Sequence, residues 1–163
     1  DNIKVINLIK SIEKTADKLS CDPFLIAMAE RAKQIQELYE SRQLSTSEAL
    51  DELINEIKEN GKRKKEQEEL KIDSLTYYLY KELDSAITCN GKRTFATAEP
   101  MEIAKEIKNI LEEYTDWSSS EKSMREARQK VTIEIYNTID DPDKVTALVE
   151  HIFSILSQFR QVQ

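Results

Sequence analysis

Glycine and proline are scarce in this chain, whose 163 residues include two glycines, Gly61 and Gly91, and three prolines. Phosphate-binding loops of the Walker A and dinucleotide types need several glycines at fixed spacing, because only glycine lets the backbone approach the phosphates closely. The nucleophile elbow Gly-x-Ser-x-Gly is also absent from the sequence. So few backbone breakers disfavour a turn-rich β fold and favour helices joined by short polar loops.

The chain also has few cysteines, no excess of basic residues and no long apolar run. Cys21 and Cys89 lie far apart without metal-ligand spacing, so we expect reduced thiols in a cytoplasmic protein. The formal net charge of −7 disfavours a dedicated nucleic-acid-binding domain. No segment approaches the ~20 apolar residues needed to span a bilayer, and no signal peptide is present, so we expect no membrane partner. The first residue is Asp1 rather than methionine, which suggests a piece of a longer protein.

Apolar residues recur every three to four positions along most of the chain, which predicts about seven helices. Most of the predicted helix starts carry a capping residue, often followed by proline or, three residues later, by glutamate. These starts lie near Asn2 and at Asp22-Pro23, Ser45–Glu48, Asp73-Ser74, Glu99-Pro100, Ser118–Glu121 and Asp141-Pro142. We therefore predict an all-α fold, an irregular bundle of about seven helices in a single domain over 1–163. A sub-boundary is possible near 61–72, and 89–98 is the best loop candidate.

One short run is strongly basic, and it is the candidate basic patch of this chain: Lys62, Arg63, Lys64 and Lys65. It could contact phosphate or an acidic partner. Glutamates follow at Glu66, Glu68 and Glu69, at the spacing of exposed ion pairs within a helix. The run is therefore also readable as a solvated helix extension or a linker.

Three further features could carry chemistry or binding, and each has a simpler structural explanation. The only histidine, His151, lacks a second histidine to share a metal, although a lone general base is conceivable. Asp141-Pro142-Asp143 is similar to the start of a magnesium-nuclease motif, but the required Glu-x-Lys does not follow, and a helix cap explains it. The tyrosines at 77, 78 and 80 suit core packing better than base stacking. We predict no catalytic residue, metal ligand or cofactor site in this chain.

The only tryptophan, Trp117, lies between two predicted helices, where it would wedge with its indole buried. Arg128 follows Met124 by four residues and precedes Val131 by three, which predicts a position on the apolar face of its helix. A buried arginine needs a carboxylate partner, and Asp116 is one candidate.

Glu112 and Glu113 are the other candidate partners of Arg128, and an internal ion pair there would fix the junction. Tryptophan and arginine are also enriched among interface hot spots. The candidate interaction or structural junction is therefore formed by Asp116, Trp117, Arg125 and Arg128.

This junction carries a family resemblance. Tyr114-Thr115-Asp116-Trp117, a serine-rich spacer and the segment Met124–Val131 resemble the C-terminal helical domain of the restriction (R) subunit of type I restriction–modification enzymes. Leu44–Ile54 and Leu70–Leu83 are similar to further helices of that family, so the resemblance covers about 35–160.

The resemblance implies a parent polypeptide with a nuclease domain and two RecA-like motor domains that use ATP and Mg²⁺ to translocate DNA. The present segment would need no cofactor and would dock the motor subunit onto the methyltransferase and specificity subunits, with at most a weak DNA contact. A free-standing helical adaptor or regulator is the alternative. A third possibility is a weak enzyme or nucleic-acid-binding domain that uses Lys62–Lys65 and Lys92-Arg93.

Overall fold

The computed structural model describes residues 2–19, 22–89, 92–93 and 98–159. These residues form seven α-helices and one β-hairpin whose two strands have two residues each. The helices are α1 (Asn2–Lys18), α2 (Pro23–Glu40), α3 (Thr46–Leu70), α4 (Ser74–Ile87), α5 (Pro100–Glu113), α6 (Glu121–Thr138) and α7 (Pro142–Leu156). The predicted all-α bundle of about seven helices is therefore confirmed.

Two helices begin at the Asp-Pro signals that the sequence predicts. The Phe24 N–H donates to Asp22 Oδ1 at 3.1 Å, and the Lys144 N–H donates to Asp141 Oδ1 at 3.2 Å. In each case the proline occupies the first helical turn, where its missing N–H would have no partner. Asp141 is therefore a helix cap, as predicted.

The capping box at the start of α3 is confirmed. The Ser45 N–H donates to Glu48 Oε2 at 2.8 Å, and the Glu48 N–H donates to Ser45 Oγ at 3.2 Å. The hydrogen bond from the Ser45 backbone, followed by that from its hydroxyl, lowers the pKa of Glu48.

Two other predicted caps differ from their expected form. The box predicted at 118–121 is wrong, because α6 begins later and its cap is Ser120, which accepts from the Ser123 N–H at 3.3 Å. Asp73 precedes α4 but makes no side-chain cap bond, and its Oδ2 lies 3.2 Å from Lys108 Nζ instead. In both places a nearby tertiary or turn contact competes with the local signal.

Helix α3 continues without a break through the basic run, so that run is a helix extension and not a linker. The helix ends at Leu70, and Lys71 adopts a left-handed conformation with φ of 54°. The chain then divides into two compact units, Asp1–Ile72 and Asp73–Gln163. This division follows the 61–72 segment in which the sequence indicates a possible sub-boundary.

In the first unit, α1, α2 and α3 pack pairwise around one hydrophobic core. Both α1 and α2 contribute apolar residues at helical spacing, and α3 contributes near its start. The buried members are Val5, Ile9, Ile12, Ala16, Leu25, Met28, Ala32, Ile35, Ala49 and Leu53. The second half of α3 adds no apolar residue to this core. Polar side chains can therefore make the contacts of that half with the rest of the unit.

In the second unit, α4 packs against α5 and α7, and α6 packs against the same two helices. A short antiparallel pairing joins β1 (Thr88–Cys89) to β2 (Lys92–Arg93). This hairpin occupies the start of the predicted 89–98 loop, of which 90–91 and 94–97 lie outside the described residues. Cys21 and the side chain of Cys89 also lie outside them.

Candidate functional site

Trp117 lies in the turn that connects α5 to α6, and its side chain is 1% exposed. The indole stacks on the ring of Phe159, with centroids 5.3 Å apart and planes inclined by 7°. A buried aromatic pair of this kind contributes both apolar area and a favourable ring contact. Trp117 is therefore an internal anchor of the second unit rather than a side chain offered to a partner.

Asp116 fastens the same turn to the start of α6. Its Oδ1 accepts a hydrogen bond of 2.7 Å from Ser123 Oγ, and its carbonyl oxygen accepts from the N–H groups of Ser119 and Ser120 at 3.0 and 2.9 Å. These contacts satisfy backbone donors that a helix start leaves without intrahelical partners. The Asp-Trp pair thus fixes the position at which α6 begins.

Arg128 is exposed, so its predicted place on the apolar face is wrong. The buried residues of α6 are Ala127, Val131 and Ile135, spaced four apart. Arg128 follows Ala127 by one residue, which places it about 100° around the helix, at the rim of that stripe. Its guanidinium carbon lies 5.7 Å from the ring centroid of Phe153.

The three carboxylates predicted to pair with Arg128 contact other groups. Asp116 accepts from Ser123, and Glu112 lies 3.5 Å from Lys108 Nζ. Glu113 Oε2 lies 2.9 Å from Lys130 Nζ. Within the described part of the chain, these three carboxylates contact groups other than Arg128, so the predicted internal ion pair is wrong.

Lys130 makes the ion pair that connects α5 to α6 in place of Arg128. Its ammonium group also lies 5.3 Å from the ring centroid of Tyr114. The hydrogen bond to Glu113, followed by the contact with Tyr114, raises the pKa of Lys130. The pair is solvent-exposed, so it positions the two helices without burying a charge.

The outward side of α6 carries a group of exposed residues, Arg125, Arg128, Ile133 and Tyr136, which we call the α6 surface. Ile133 is 61% exposed and Tyr136 is 47% exposed. Helical spacing places all four within one side of the helix. Ile133 and Tyr136 were not among the sequence candidates, although both fall outside the stripe that contains Val131.

Arg63 is buried in the first unit, with 5% of its surface exposed, so it does not belong to an exposed basic patch. Its Nη1 lies 2.9 Å from Asp22 Oδ2 and 3.2 Å from Gln67 Oε1. Its Nε and Nη2 donate to Asn60 Oδ1 at 3.2 and 2.6 Å. The guanidinium carbon lies 4.9 Å from the centroid of the Phe24 ring.

The remaining members of the predicted basic patch, Lys62, Lys64 and Lys65, are exposed. Lys62 Nζ lies 3.2 Å from Glu59 Oε1 within the same helix. Three lysines on a solvated helix supply little directional recognition, since an ammonium group is a strongly hydrated point charge.

The remaining sequence candidates, His151 and the tyrosines at 77, 78 and 80, contact other residues of the second unit. His151 Nε2 lies 3.3 Å from Glu82 Oε1, and the histidine side chain is half exposed. Tyr77 and Tyr78 are each 1% exposed, which confirms core packing. The rings of Tyr77 and Tyr80 lie 6.3 Å apart, a tilted aromatic contact inside the same unit.

Within 2–19, 22–89, 92–93 and 98–159, no three His, Cys, Asp or Glu side chains come together as a metal site. Over the same described residues, no helix is both long and apolar enough to cross a bilayer. The side chains of Lys92 and Arg93 lie outside the described part of the chain.

No known protein family, curated protein sequence or solved structure matches this chain. The relationship to the type I restriction subunit therefore stays a prediction, carried by the Asp116-Trp117 turn and the arginines of α6. What the structure adds is the position of each residue: the aspartate and tryptophan hold the turn, and the arginines face solvent.

Proposed function

We propose that this chain is a non-catalytic helical assembly domain of a type I restriction R subunit. In this role it docks the ATP-dependent, DNA-translocating endonuclease subunit onto the methyltransferase–specificity core. The resemblance of 35–160 to the C-terminal helical domain of that subunit supports the family assignment. The chemistry of the α6 surface supports a docking role.

The single observation that carries this proposal is that α6 presents arginines together with exposed Ile133 and Tyr136. Arginine and tyrosine are enriched among interface hot spots, and isoleucine adds apolar area that water solvates poorly. The expected partner surface has an apolar depression flanked by carboxylates.

The turn before α6 supplies the rigidity that such a surface needs. The stack of Trp117 on Phe159 and the bonds of Asp116 fix the first turn of the helix. Binding groups carried on a fixed helix are positioned better than groups on a loop. The Asp-Trp pair therefore acts through α6 rather than by touching the partner.

In this role, catalysis and target choice would belong to other parts of the complex. ATP, Mg²⁺ and DNA cleavage would belong to the nuclease and motor domains of the parent polypeptide, and target choice to the specificity subunit. The assembly would operate in the cytoplasm. Any contact of this domain with DNA would be weak, because the exposed lysines at 62, 64 and 65 are few and the net charge is −7.

The docking proposal is tested by titrating this chain onto an immobilised methyltransferase–specificity complex from the same genome. We expect saturable binding, weakened at least about 10-fold by Arg125→Glu and by Tyr136→Ala, in line with hot-spot truncations. Lys10→Glu in α1 is the matched control. Lys10 is also exposed, and its substitution by glutamate changes the net charge by the same amount as Arg125→Glu. Absence of binding, or equal loss in the control, contradicts the proposal.

A gel-shift titration separates this role from that of a nucleic-acid-binding domain. We expect no sub-micromolar binding of naked duplex DNA at physiological salt, because the overall field repels phosphate. A tight, salt-sensitive shift that Lys64→Glu weakens would favour the nucleic-acid-binding alternative instead.

A further inference from the structure

Helix α3 carries a second apolar stripe beside the one that packs into the first unit. Its members are spaced four, three and four residues apart, the spacing of a coiled-coil seam: Leu50, Ile54, Ile57 and Gly61. Ile54 and Ile57 are each 42% exposed, whereas Leu50 packs partly against the core of its own unit. The outer positions of a solvated helix are normally polar, so two exposed isoleucines at this spacing need a cause.

Gly61 continues this stripe at a position where glycine is not required by the packing of its own unit. A Cβ built on Gly61 meets no atom within 4 Å, so a larger side chain would fit. Glycine in a helix interior is destabilising relative to alanine because the unfolded chain gains backbone freedom. Its presence is consistent with close approach by a neighbouring helix at this point.

The exposed charges of α3 are segregated over 48–65, the stretch that surrounds the stripe. Its first half presents acidic residues, Glu48, Asp51 and Glu52, whereas its second half presents mainly basic ones, Lys58, Lys62, Lys64 and Lys65, beside Glu59; exposed Glu68 and Glu69 follow beyond this stretch. If a second copy of the helix runs antiparallel, each acidic half lies along a basic half. A parallel arrangement would place like charges together and would be disfavoured.

We propose that the outer stripe of α3 pairs with the same stripe of a second copy of this chain, antiparallel and about a two-fold axis. Such an interface is isologous, so every contact occurs twice. In the register that suits this spacing, Ile54 lies beside Ile57 of the other copy and Leu50 covers the space over Gly61. Asp51 of each copy then faces Lys58 of the other copy. This inference does not rest on the proposed function, because α3 belongs to the other unit from α6.

The small size of the stripe sets the strength of the association. Two isoleucines, one partly covered leucine and one glycine on each copy give an area below that of standard protein interfaces. The dimer is therefore weak and exchanging.

Sedimentation equilibrium of the 163-residue chain, between about 10 and 500 µM, tests the proposal. We expect a monomer–dimer equilibrium for the unchanged chain and a monomer throughout for Ile54→Asp. Ile3→Asp is the matched control, since Ile3 is an exposed isoleucine on another helix, and it should dimerise like the unchanged chain. A monomeric unchanged chain overturns the proposal, and so does a dimer that Ile54→Asp leaves intact.

Charge reversal tests the antiparallel register separately. Asp51→Lys and Lys58→Asp should each weaken dimerisation about 10-fold, since each places like charges face to face. The double variant D51K/K58D restores opposite charges across the axis and should recover most of the association. Failure of the double variant to recover overturns this register, and circular dichroism verifies that each variant keeps its helices. These measurements use the chain alone, so their outcome is independent of binding to a methyltransferase.

Discussion

Arg63 of α3 and Arg128 of α6 occupy opposite environments, although their sequence contexts suggest the reverse. Arg63 lies in a run of basic residues and is buried against Asp22 and Phe24. Arg128 lies at helical spacing from apolar Met124 and Val131, and it faces solvent beside Phe153. Each arginine is close to an aromatic ring, so the ring alone does not decide whether the guanidinium is buried.

The difference arises from the groups that meet each arginine from elsewhere in the chain. Asp22 caps α2 with one carboxylate oxygen and contacts Arg63 with the other. Asn60 and Gln67, one turn to either side of Arg63, accept its remaining hydrogen bonds. A buried guanidinium is tolerated only when such partners satisfy it. Among the residues that the structure describes, no comparable set surrounds Arg128, which is exposed to solvent.

Among the substitutions that test this comparison, Arg63→Ala is expected to have the largest effect on stability. It leaves the Asp22 carboxylate buried without its charge partner, which should lower the free energy of unfolding by about 3–5 kcal/mol. Urea unfolding followed by circular dichroism measures the loss. Lys64→Ala, the next residue but exposed, is the matched control and should change stability by less than about 0.5 kcal/mol. Equal effects from the two substitutions would contradict the burial of Arg63.

Trp117→Ala applies the same reasoning to the second unit, where an apolar contact holds the junction. Removing the indole leaves a cavity against Phe159, and we expect a loss of about 3–5 kcal/mol. Trp117→Phe should cost clearly less, because it keeps an aromatic ring in the stack. Thermal and urea unfolding compare the two variants. A loss below about 1 kcal/mol for alanine would show that the side chain is not an anchor.

Substitutions of the serines at the starts of α3 and α6 test which serine caps each helix. Their expected effects on stability are smaller than those of Arg63→Ala and Trp117→Ala. Ser45→Ala and Ser120→Ala should each cost about 1 kcal/mol, whereas Ser118→Ala should cost little, because Ser118 is not the cap. Urea unfolding of the three variants measures these differences, and a larger loss for Ser118 than for Ser120 would contradict the observed cap.

The cap of α3 also has a pH dependence with a definite sign. Because the folded state lowers the pKa of Glu48, this stabilisation is present above the unfolded pKa and is lost as the pH falls through the folded value. The free energy of unfolding of the unchanged chain, relative to that of Glu48→Gln, should therefore fall as the pH drops below about 4. Titrated unfolding curves measure this change.

Features that depend on neighbouring residues could be predicted from the sequence. The Asp-Pro starts at Asp22 and Asp141 and the box at Ser45 each act within one helical turn, and all three form as predicted. The burial of Trp117 also follows from its size and position.

Features that depend on distant residues could not be predicted in this way. Nothing near Arg63 indicates that the cap of another helix supplies its carboxylate. Similarly, Asp73 is diverted to Lys108, and Lys130 rather than Arg128 reaches Glu113. Helical periodicity locates a stripe, but it does not decide which side chain at the rim of that stripe turns inward. The α6 surface was therefore recognised only in part.

Arg128→Ala is expected to change stability only slightly, and it completes the comparison with Arg63. An exposed guanidinium near an aromatic ring contributes about 0.5–1 kcal/mol, so the variant should lose no more than that. Urea unfolding measures the loss, with Arg63→Ala as the contrasting case. A loss above about 2 kcal/mol would mean that Arg128 has a structural role like that of Arg63, and would remove it from the α6 surface. If stability holds while binding to the methyltransferase–specificity complex falls, the arginine acts on a partner, because its interior contacts are then too weak to explain the effect.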